Sequence, residues 1–290
     1  MNEPATVERE FAYSKRDFER VCRMIRHRAG IALAPGKEDM VYGRLARRLR
    51  ARGLGSFREY LDLLERSDEQ EWQDFTNALT TNLTAFFREP HHFEALSQLL
   101  AQREQGPQRE QGPGPRRGLR LWSAAASTGE EPYSLAMTVA EHYGRADAAV
   151  QILATDIDTQ VLDSARSGIY TLERVANLSK ERLRRFFQRG SGANQGYCRV
   201  VEELRRMVEF RPLNLLEQSW DVRGPFDAIF CRNVMIYFDK ATQYRVLARL
   251  MPLLAPEGRF FAGHSESFFH ATDLLLSCGR TIYRPVGGTA

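Results

Sequence analysis

Residues Leu119–Leu135 read L-R-L-W-S-A-A-A-S-T-G-E-E-P-Y-S-L. The apolar run from Leu119 to Ala126 has the length of a buried strand, and it breaks at Ser127-Thr128-Gly129. A helix then begins, with Pro132 near its first turn and Tyr133, Leu135, Ala136 and Val139 on an apolar face. Strand, small-residue turn and helix N-terminus together form the ligand-holding corner of a doubly wound α/β sheet. Gly129 is the corner's single glycine, so the G-x-G-x-x-G pattern is missing. Side chains at Ala125 and Ala126 would hinder the close backbone approach a pyrophosphate needs, which disfavours a dinucleotide.

Downstream, strand and helix alternate, as expected of a mostly parallel sheet. Ala149–Thr155 is a second apolar strand ending in Asp156-Ile157-Asp158, with a helix after it. Phe226–Cys231 is a third, followed by Arg232-Asn233 and a helix from about Lys240 to Leu254. Pro256-Glu257-Gly258 turns into a strand at Arg259–Gly263, and Thr281–Arg284 is short and β-like. Residues 170–213 break the alternation. Ser179–Gln188 reads as a helix, and two strand-like pieces, the second R-M-V-E-F-R-P, follow around a glycine-rich turn. Gly190, Gly192 and Gly196 would allow the positive φ of a tight turn, and the whole stretch is expected to be a small antiparallel subdomain.

Ligands of open α/β sheets sit at the carboxyl ends of the strands. Four segments meet there: Ala124–Glu131, Asp156–Asp158, Asn214-Leu215 and Arg232–Tyr237. Thr128 with Glu131, and Ser127 with Glu130, both have capping-box spacing. One glutamate suffices for a cap, and the other is available to the ammonium group of an amino-acid-like ligand. Asp156 stands where an acidic residue hydrogen-bonds ribose hydroxyls, whereas Asp158 suits the cap of the next helix. His91 and His92 are adjacent and should point apart, and His264 and His270 are six residues apart, so no metal site is expected.

Residues from about 15 to 100 read as helix. The first helix ends at Gly30, and Asp39 is a possible cap for the second. Ser56 or Phe57 starts a third, and Glu71–Leu79 form a fourth. Between Lys15 and Arg58 thirteen basic residues face four acidic ones, while Glu59–Asp74 hold seven acids and one arginine. On the second helix Arg44, Arg47, Arg48 and Arg50 fall opposite the apolar side, as either a solvated face or a surface for an acidic partner. Residues 102–113 repeat Q-R-E-Q-G-P twice, which reads as a solvated loop extending to about 118.

The chain of 290 residues, 43% hydrophobic and 27% charged, is ordinary for a globular protein and long enough for two domains. Its charged first residues lack the apolar core of a secretory signal, and no run approaches membrane-helix length. Cys22, Cys198, Cys231 and Cys278 lack C-x-x-C spacing, so a reduced cytoplasmic protein is expected.

Five longer stretches narrow the reading. They are T-N-L-T-A-F-F-R-E-P-H-H-F (Thr81–Phe93), S-A-A-A-S-T-G-E-E-P-Y-S (Ser123–Ser134), D-I-D-T-Q-V-L-D-S-A-R-S-G-I-Y (Asp156–Tyr170), N-L-L-E (Asn214–Glu217) and F-D-A-I-F-C-R-N-V-M-I-Y-F-D (Phe226–Asp239). With G-H-S-E-S (Gly263–Ser267), they resemble the chemotaxis-receptor glutamate methyltransferases, the CheR family, across about residues 15–285. The resemblance implies an N-terminal all-α bundle (1–80) and a Rossmann-like class I methyltransferase domain (81–290) carrying the β-subdomain at 170–213. It implies S-adenosyl-L-methionine as methyl donor, with S-adenosyl-L-homocysteine as product, and methylation of glutamates on the cytoplasmic region of chemoreceptors. It further implies that Asn82, Thr84, Arg88, Glu131, Asp156, Asn214, Leu215, Arg232 and Asn233 line the cofactor site. Glu131 rather than Glu130 would meet the methionine amino group, and Arg88 and Tyr237 would lie near the transferred methyl.

The same resemblance gives the basic helix a partner, glutamate-rich receptor helices that Arg44, Arg47, Arg48 and Arg50 could pair with. In one branch of the family the β-subdomain binds a receptor C-terminal pentapeptide as an added edge strand. Gly190, Gly192, Gly196 and Arg199 fit that branch's G-x-G-x-x-x-G-x-x-R turn. The enzyme is then expected in the cytoplasm, recruited to receptor arrays without membrane insertion. A nucleic-acid methyltransferase is disfavoured because the third strand leads into R-N-V-M-I-Y-F rather than a base-clamping N-P-P-Y turn, and the basic helix lacks stacking aromatics. A scaffold that binds the cofactor without catalysis is disfavoured because Arg88, Asp156 and Tyr237 are all present.

Overall fold

The computed structural model describes residues 9–66, 69–105, 118–145 and 150–287. The chain divides after Thr81 into two compact units.

The first unit is helical: α1 (Lys15–Ala29), α2 (Glu38–Arg52), α3 (Phe57–Glu65) and α4 (Glu69–Leu79). Ser14 and Asp17 form a reciprocal capping box at the start of α1, and Gly30 ends it in the left-handed conformation. Asp39 does not cap α2. The helix starts one residue earlier, at Glu38, and Asp39 lies in its first turn. Val21, Ile25, Leu45, Leu49, Phe57, Tyr60 and Phe75 are fully buried and form the apolar interior.

The basic face of α2 is largely consumed inside this unit. Arg48 donates to both carboxylate oxygens of Glu71 at 2.9 and 2.7 Å and to Asp74 at 2.7 Å. Glu71 is itself buried and accepts from the Tyr60 hydroxyl at 2.8 Å. Arg44 donates to the Thr80 carbonyl at 2.7 Å, satisfying a group beyond the end of α4. Arg47 and Arg50 are the exposed members of the four, and Arg50 pairs at the surface with Glu10. The expected four-arginine surface is thus corrected: the acids of α4 pack against α2 and take up its nearest guanidinium.

The first element of the second unit is α5 (His91–Gln105), so residues 102–105 are helix rather than the expected loop; the rest of that expected loop, 106–117, lies outside the described residues. A seven-stranded sheet follows, ordered β6-β2-β1-β7-β8-β10-β9. The strands are β1 (Leu119–Ser123), β2 (Val150–Asp156), β6 (Val208–Pro212), β7 (Phe226–Phe230), β8 (Leu254–Phe261), β9 (Leu275–Gly279) and β10 (Ile282–Pro285). The first five are parallel, while β10 pairs antiparallel with both β8 and β9. The chain goes from β1 to β2 on one side and returns to β7 on the other, so strand order reverses beside β1. A crevice opens at such a switch point.

Helices α6 (Glu130–His142), α7 (Thr159–Ser167) and α10 (Lys240–Leu250) connect these strands. α6 is buried from Glu130 through Ala140, so it belongs to the core of the unit rather than its surface. Pro256-Glu257-Gly258 lies within β8 rather than before it.

Residues 170–213 also differ from expectation. A small antiparallel sheet exists, ordered β3-β5-β4, from β3 (Ile169–Thr171), β4 (Phe187–Arg189) and β5 (Tyr197–Val200), with α8 (Lys180–Phe186) before β4. After α9 (Glu202–Arg206), however, Val208–Pro212 leaves the subdomain and pairs parallel with β2 as an edge of the main sheet. An edge strand of alternating apolar and charged residues, Val208-Glu209-Phe210-Arg211, has the same local pattern in either sheet; only pairing with Ile152–Asp156 distinguishes them. Gly192 (φ 57°) and Gly196 (φ 92°) have the left-handed backbone expected in the β4–β5 turn. Gly190 is needed for space instead, because a Cβ there would lie 2.2 Å from the Asn194 carbonyl oxygen.

Candidate active site

The carboxyl ends of β1, β2, β6 and β7 supply the site. β1 ends at Ser123, whose hydroxyl donates to Glu131 Oε1 at 2.7 Å. The chain then turns through Ser127 (φ 49°) and Gly129 (φ 96°) into α6. Glycine is required at 129 for its backbone and for room, since a Cβ would come within 2.8 Å of the Tyr170 hydroxyl.

Gly129 occupies the N-cap position of α6 and no side chain caps the helix. Neither expected capping box forms, because that glycine displaces Ser127 and Thr128 upstream of the cap position. The Thr128 hydroxyl donates to Glu130 Oε2 at 2.6 Å, and Glu130, fully buried, pairs with Arg174 at 3.0 Å. Glu130 is the first residue of α6, as expected, and it also ties the corner to the segment after β3. Glu131 points the other way, toward β1 and Arg232.

Asp156 closes β2. Its Oδ2 accepts from the Ser127 N–H at 2.8 Å and its Oδ1 from the Asp158 N–H at 3.0 Å. Burial pushes its pKa up to about 6, against the hydrogen bonds that favour its charged form. Asp158 caps α7, accepting from the Gln160 and Val161 N–H groups, as its position in the sequence suggested. Its other oxygen accepts from Asn82 Nδ2 at 2.8 Å, and the Asn82 carbonyl accepts from the Ser127 hydroxyl at 3.2 Å. Asn82, Ser127, Asp156 and Asp158 thus form one hydrogen-bonded cluster. The Leu213 N–H donates to the Asp156 carbonyl, which sets Asn214 and Leu215 at the neighbouring strand end. Leu215 is buried, and Asn214 Oδ1 accepts from the Leu216 N–H within its own turn.

A second cluster centres on Arg232, just past β7. It donates to Glu131 Oε2 at 2.9 Å, lies 3.3 Å from Glu89 Oε2, and donates to the Arg88 carbonyl. Its side chain is 2% exposed, and its Nε has no hydrogen-bond partner among the described residues. Glu89 also holds His264, accepting from its N–H at 3.2 Å and lying 3.0 Å from its Nδ1. Burial would raise the Glu89 pKa, but the hydrogen bonds from His264 and the charge of Arg232 overcome it and bring the carboxyl to about 2. The Arg88 guanidinium folds back to the Leu83 carbonyl at 2.8 Å, with Thr84 on the same segment. Tyr237 is half-buried and ends a single turn, Met235–Tyr237, after Asn233.

His91 and His92 do not point apart. At the start of α5 their rings lean together, and both Nε2 atoms lie 3.2 Å from the Arg280 carbonyl. With Glu89 they bring three possible ligand atoms within 4.8 Å of one another. The Arg232 guanidinium already faces that carboxylate and disfavours a second cation there.

Four participants were assigned no role from sequence: Ser123, Glu89, His264 and Glu266. All four lie inside T-N-L-T-A-F-F-R-E-P-H-H-F, S-A-A-A-S-T-G-E-E and G-H-S-E-S, so the signal was present as motif but not as chemistry. His264 and Glu89 meet across 175 residues of sequence, as Arg232 and Glu131 do across 101.

Buried carboxylates following β2 and β1 and a buried guanidinium following β7 suit a ligand with an ammonium, a carboxylate and hydroxyl groups better than a phosphate. Comparison with known proteins agrees. Residues 82–284 match the family described as CheR methyltransferase, SAM binding domain, and residues 16–80 match CheR methyltransferase, all-alpha domain. The chain is 54% identical over 282 residues to chemotaxis protein methyltransferase 2 of Pseudomonas aeruginosa, covering 97% of each chain. It is 53% identical over 273 residues to the chemotaxis protein methyltransferase of Escherichia coli, covering 94% of this chain and 91% of that one.

Proposed function

The chain belongs to the CheR methyltransferase family, an S-adenosylmethionine-dependent group acting in chemotaxis, and from that premise we propose a protein-glutamate O-methyltransferase. It esterifies glutamate side chains on the cytoplasmic region of chemoreceptors. The observation that carries this reading is the buried Glu131–Arg232 pair beside Asp156, at the switch point of the sheet. These groups fit an α-amino acid joined to a ribose. Glu131 would take the ammonium, Arg232 the carboxylate and Asp156 the ribose hydroxyls, with Asn82, Thr84, Asn214, Leu215 and Asn233 completing the walls. S-adenosylmethionine supplies a methyl group already activated on a sulfonium centre.

No general base is required of the protein. A glutamate carboxylate has a reference pKa of about 4.3 and is ionised at neutral pH. What remains is orientation: a weak nucleophile must be held in line in a water-poor site, where positioning alone is worth several kcal/mol. Arg88 and Tyr237 are the groups for that work. The Arg88 side chain rests on the Leu83 carbonyl, a neutral partner that it can leave for an incoming carboxylate.

Arg47 and Arg50 form the part of α2 that faces outward, so acidic receptor helices are read mainly by these two. The β-subdomain has β3 and β4 as its edges, and its turn carries Gly190, Gly192 and Gly196 with Arg199 on β5. That arrangement suits addition of an extended receptor peptide. No helix among the described residues is long and apolar enough to cross a membrane, consistent with recruitment to receptor arrays by contact alone.

The test is to incubate the protein with S-adenosylmethionine and a receptor cytoplasmic fragment, then map the product by mass spectrometry. A single-methyl mass gain on glutamate residues supports the reading, and methylation confined to other side chains would refute it.

A further inference from the structure

Glu266 is buried, and its carboxylate is held by main-chain N–H groups. It faces backbone. Its Oε1 accepts from the Met235 N–H at 2.7 Å and its Oε2 from the Asn233 N–H at 3.0 Å and from the Gly263 N–H. The Ile236 N–H contributes as well. Its own N–H donates to the Gly263 carbonyl at 2.9 Å, closing Gly263–Glu266 into a turn. Burial raises its pKa, and these backbone groups work to keep it charged.

The segment it grips has an unusual backbone. Asn233 has φ 59°, a left-handed conformation uncommon outside glycine and best tolerated by asparagine. Gly263 completes the grip from the same turn. A Cβ at 263 would lie 2.2 Å from Asn233 Nδ2 and 2.9 Å from the Asn233 nitrogen, so the side chain of Asn233 lies directly over that glycine. From the other side Gln243 Nε2 donates to the Met235 and Phe238 carbonyls at 2.9 and 3.1 Å.

We propose that Glu266 is a positioning residue for methyl transfer: its carboxylate gathers the N–H groups of Asn233 and Met235 on that segment, locking Asn233 toward the cofactor and Tyr237 toward the acceptor. The inference rests on the reading of Asn233 as a cofactor contact. It assigns to G-H-S-E-S a task, that of an internal anion filling a nest of backbone donors. Glutamine cannot replace it, because its amide –NH2 would face donors.

The experiment is a double-mutant cycle on the full chain, with S-adenosylhomocysteine affinity read by calorimetry and melting temperature measured in parallel. Glu266→Gln and Asn233→Ala should each weaken binding at least about tenfold in folded protein, and the double variant should lose little more than the worse single one. Affinity unchanged in Glu266→Gln while Asn233→Ala loses it, or losses that multiply in the double variant, would overturn the role of Glu266. An unchanged Asn233→Ala would instead remove the cofactor contact on which the inference stands, and the inference with it. Should Glu266→Gln fail to fold, amide hydrogen exchange in the unaltered protein decides: slow exchange at Asn233 and Met235 is expected, and exchange at the rate of an open loop would contradict the clamp.

Discussion

Arg232 and Glu131 meet at 2.9 Å although 101 residues separate them, one following β7 and the other in the first turn of α6. Both are buried, and each is also held by a second partner, Arg232 by Glu89 and Glu131 by Ser123. The pair therefore stands ready with opposite charges at fixed places. That is what recognition of an amino acid needs, since little side-chain ordering is left for binding to supply.

Removing one half of this pair should harm stability and recognition by different amounts. Glu131→Gln keeps the shape and leaves Arg232 with Glu89, so the fold should survive while S-adenosylhomocysteine affinity falls about 10- to 100-fold, the value of one charge-assisted hydrogen bond. Arg232→Met leaves two buried carboxylates facing each other and should cost about 3–5 kcal/mol of stability. Urea unfolding and calorimetry on both variants check this.

Cofactor affinity should depend on pH through Asp156. Its carboxyl, raised to about 6 by burial, must be ionised to accept two ribose hydroxyls. Affinity is then full above that value and lost as pH falls through it, by about tenfold at pH 5 for one proton. Folding has the opposite sign. A raised pKa in the folded state means that this group favours folding most below its unfolded value of 3.8, and that this contribution is lost as pH rises through about 6. Asp156→Asn should flatten the pH dependence of S-adenosylhomocysteine binding between pH 5 and 7.5; an unchanged slope would place the titrating group elsewhere.

The arginines of α2 should separate into two classes. Arg48→Met removes two charge-assisted hydrogen bonds from the buried Glu71, which keeps Arg52 and Tyr60, and is expected to destabilise the protein by about 1–3 kcal/mol. Reversing Arg47 and Arg50 to glutamate should leave stability and cofactor binding nearly unchanged and weaken receptor methylation, most at low salt. Equal loss of receptor methylation and cofactor binding would argue for misfolding instead.

The β4–β5 turn gives a fourth expectation. Gly190→Ala forces its Cβ against the Asn194 carbonyl and should disorder the hairpin. Binding of a receptor C-terminal peptide, read by fluorescence anisotropy, should be lost while S-adenosylhomocysteine binding is kept. Wild-type protein that binds no such peptide at high micromolar concentration would remove the docking role altogether.

How much of this the sequence carried can be judged residue by residue. The β1–α6 corner was legible because its apolar run, small-residue turn and Pro132 are local signals, and the alternation after it implied a parallel sheet. Asp158 was legible as a cap for the same reason. Val208–Pro212 was misplaced because the choice between two sheets depends on a partner strand more than fifty residues earlier. Arg44 and Arg48 were read as surface because helical spacing shows which face they share, not that Glu71 and Asp74 lie against it. Spacing alone did not separate Glu130 from Glu131; the family resemblance favoured Glu131, and the fold turns one to Arg174 and the other to Arg232. Glu266 was invisible as chemistry. Its partners are backbone N–H groups, which every residue has and no sequence marks.

The most direct test uses receptor-containing membranes and S-adenosylmethionine labelled in the methyl group. Label should enter the receptor as base-labile esters that release methanol, with kcat reduced about tenfold or more in Arg88→Ala and Tyr237→Phe. Base-stable label, or label released at an unchanged rate of formation in both variants, would contradict carboxylate methylation positioned by these two residues.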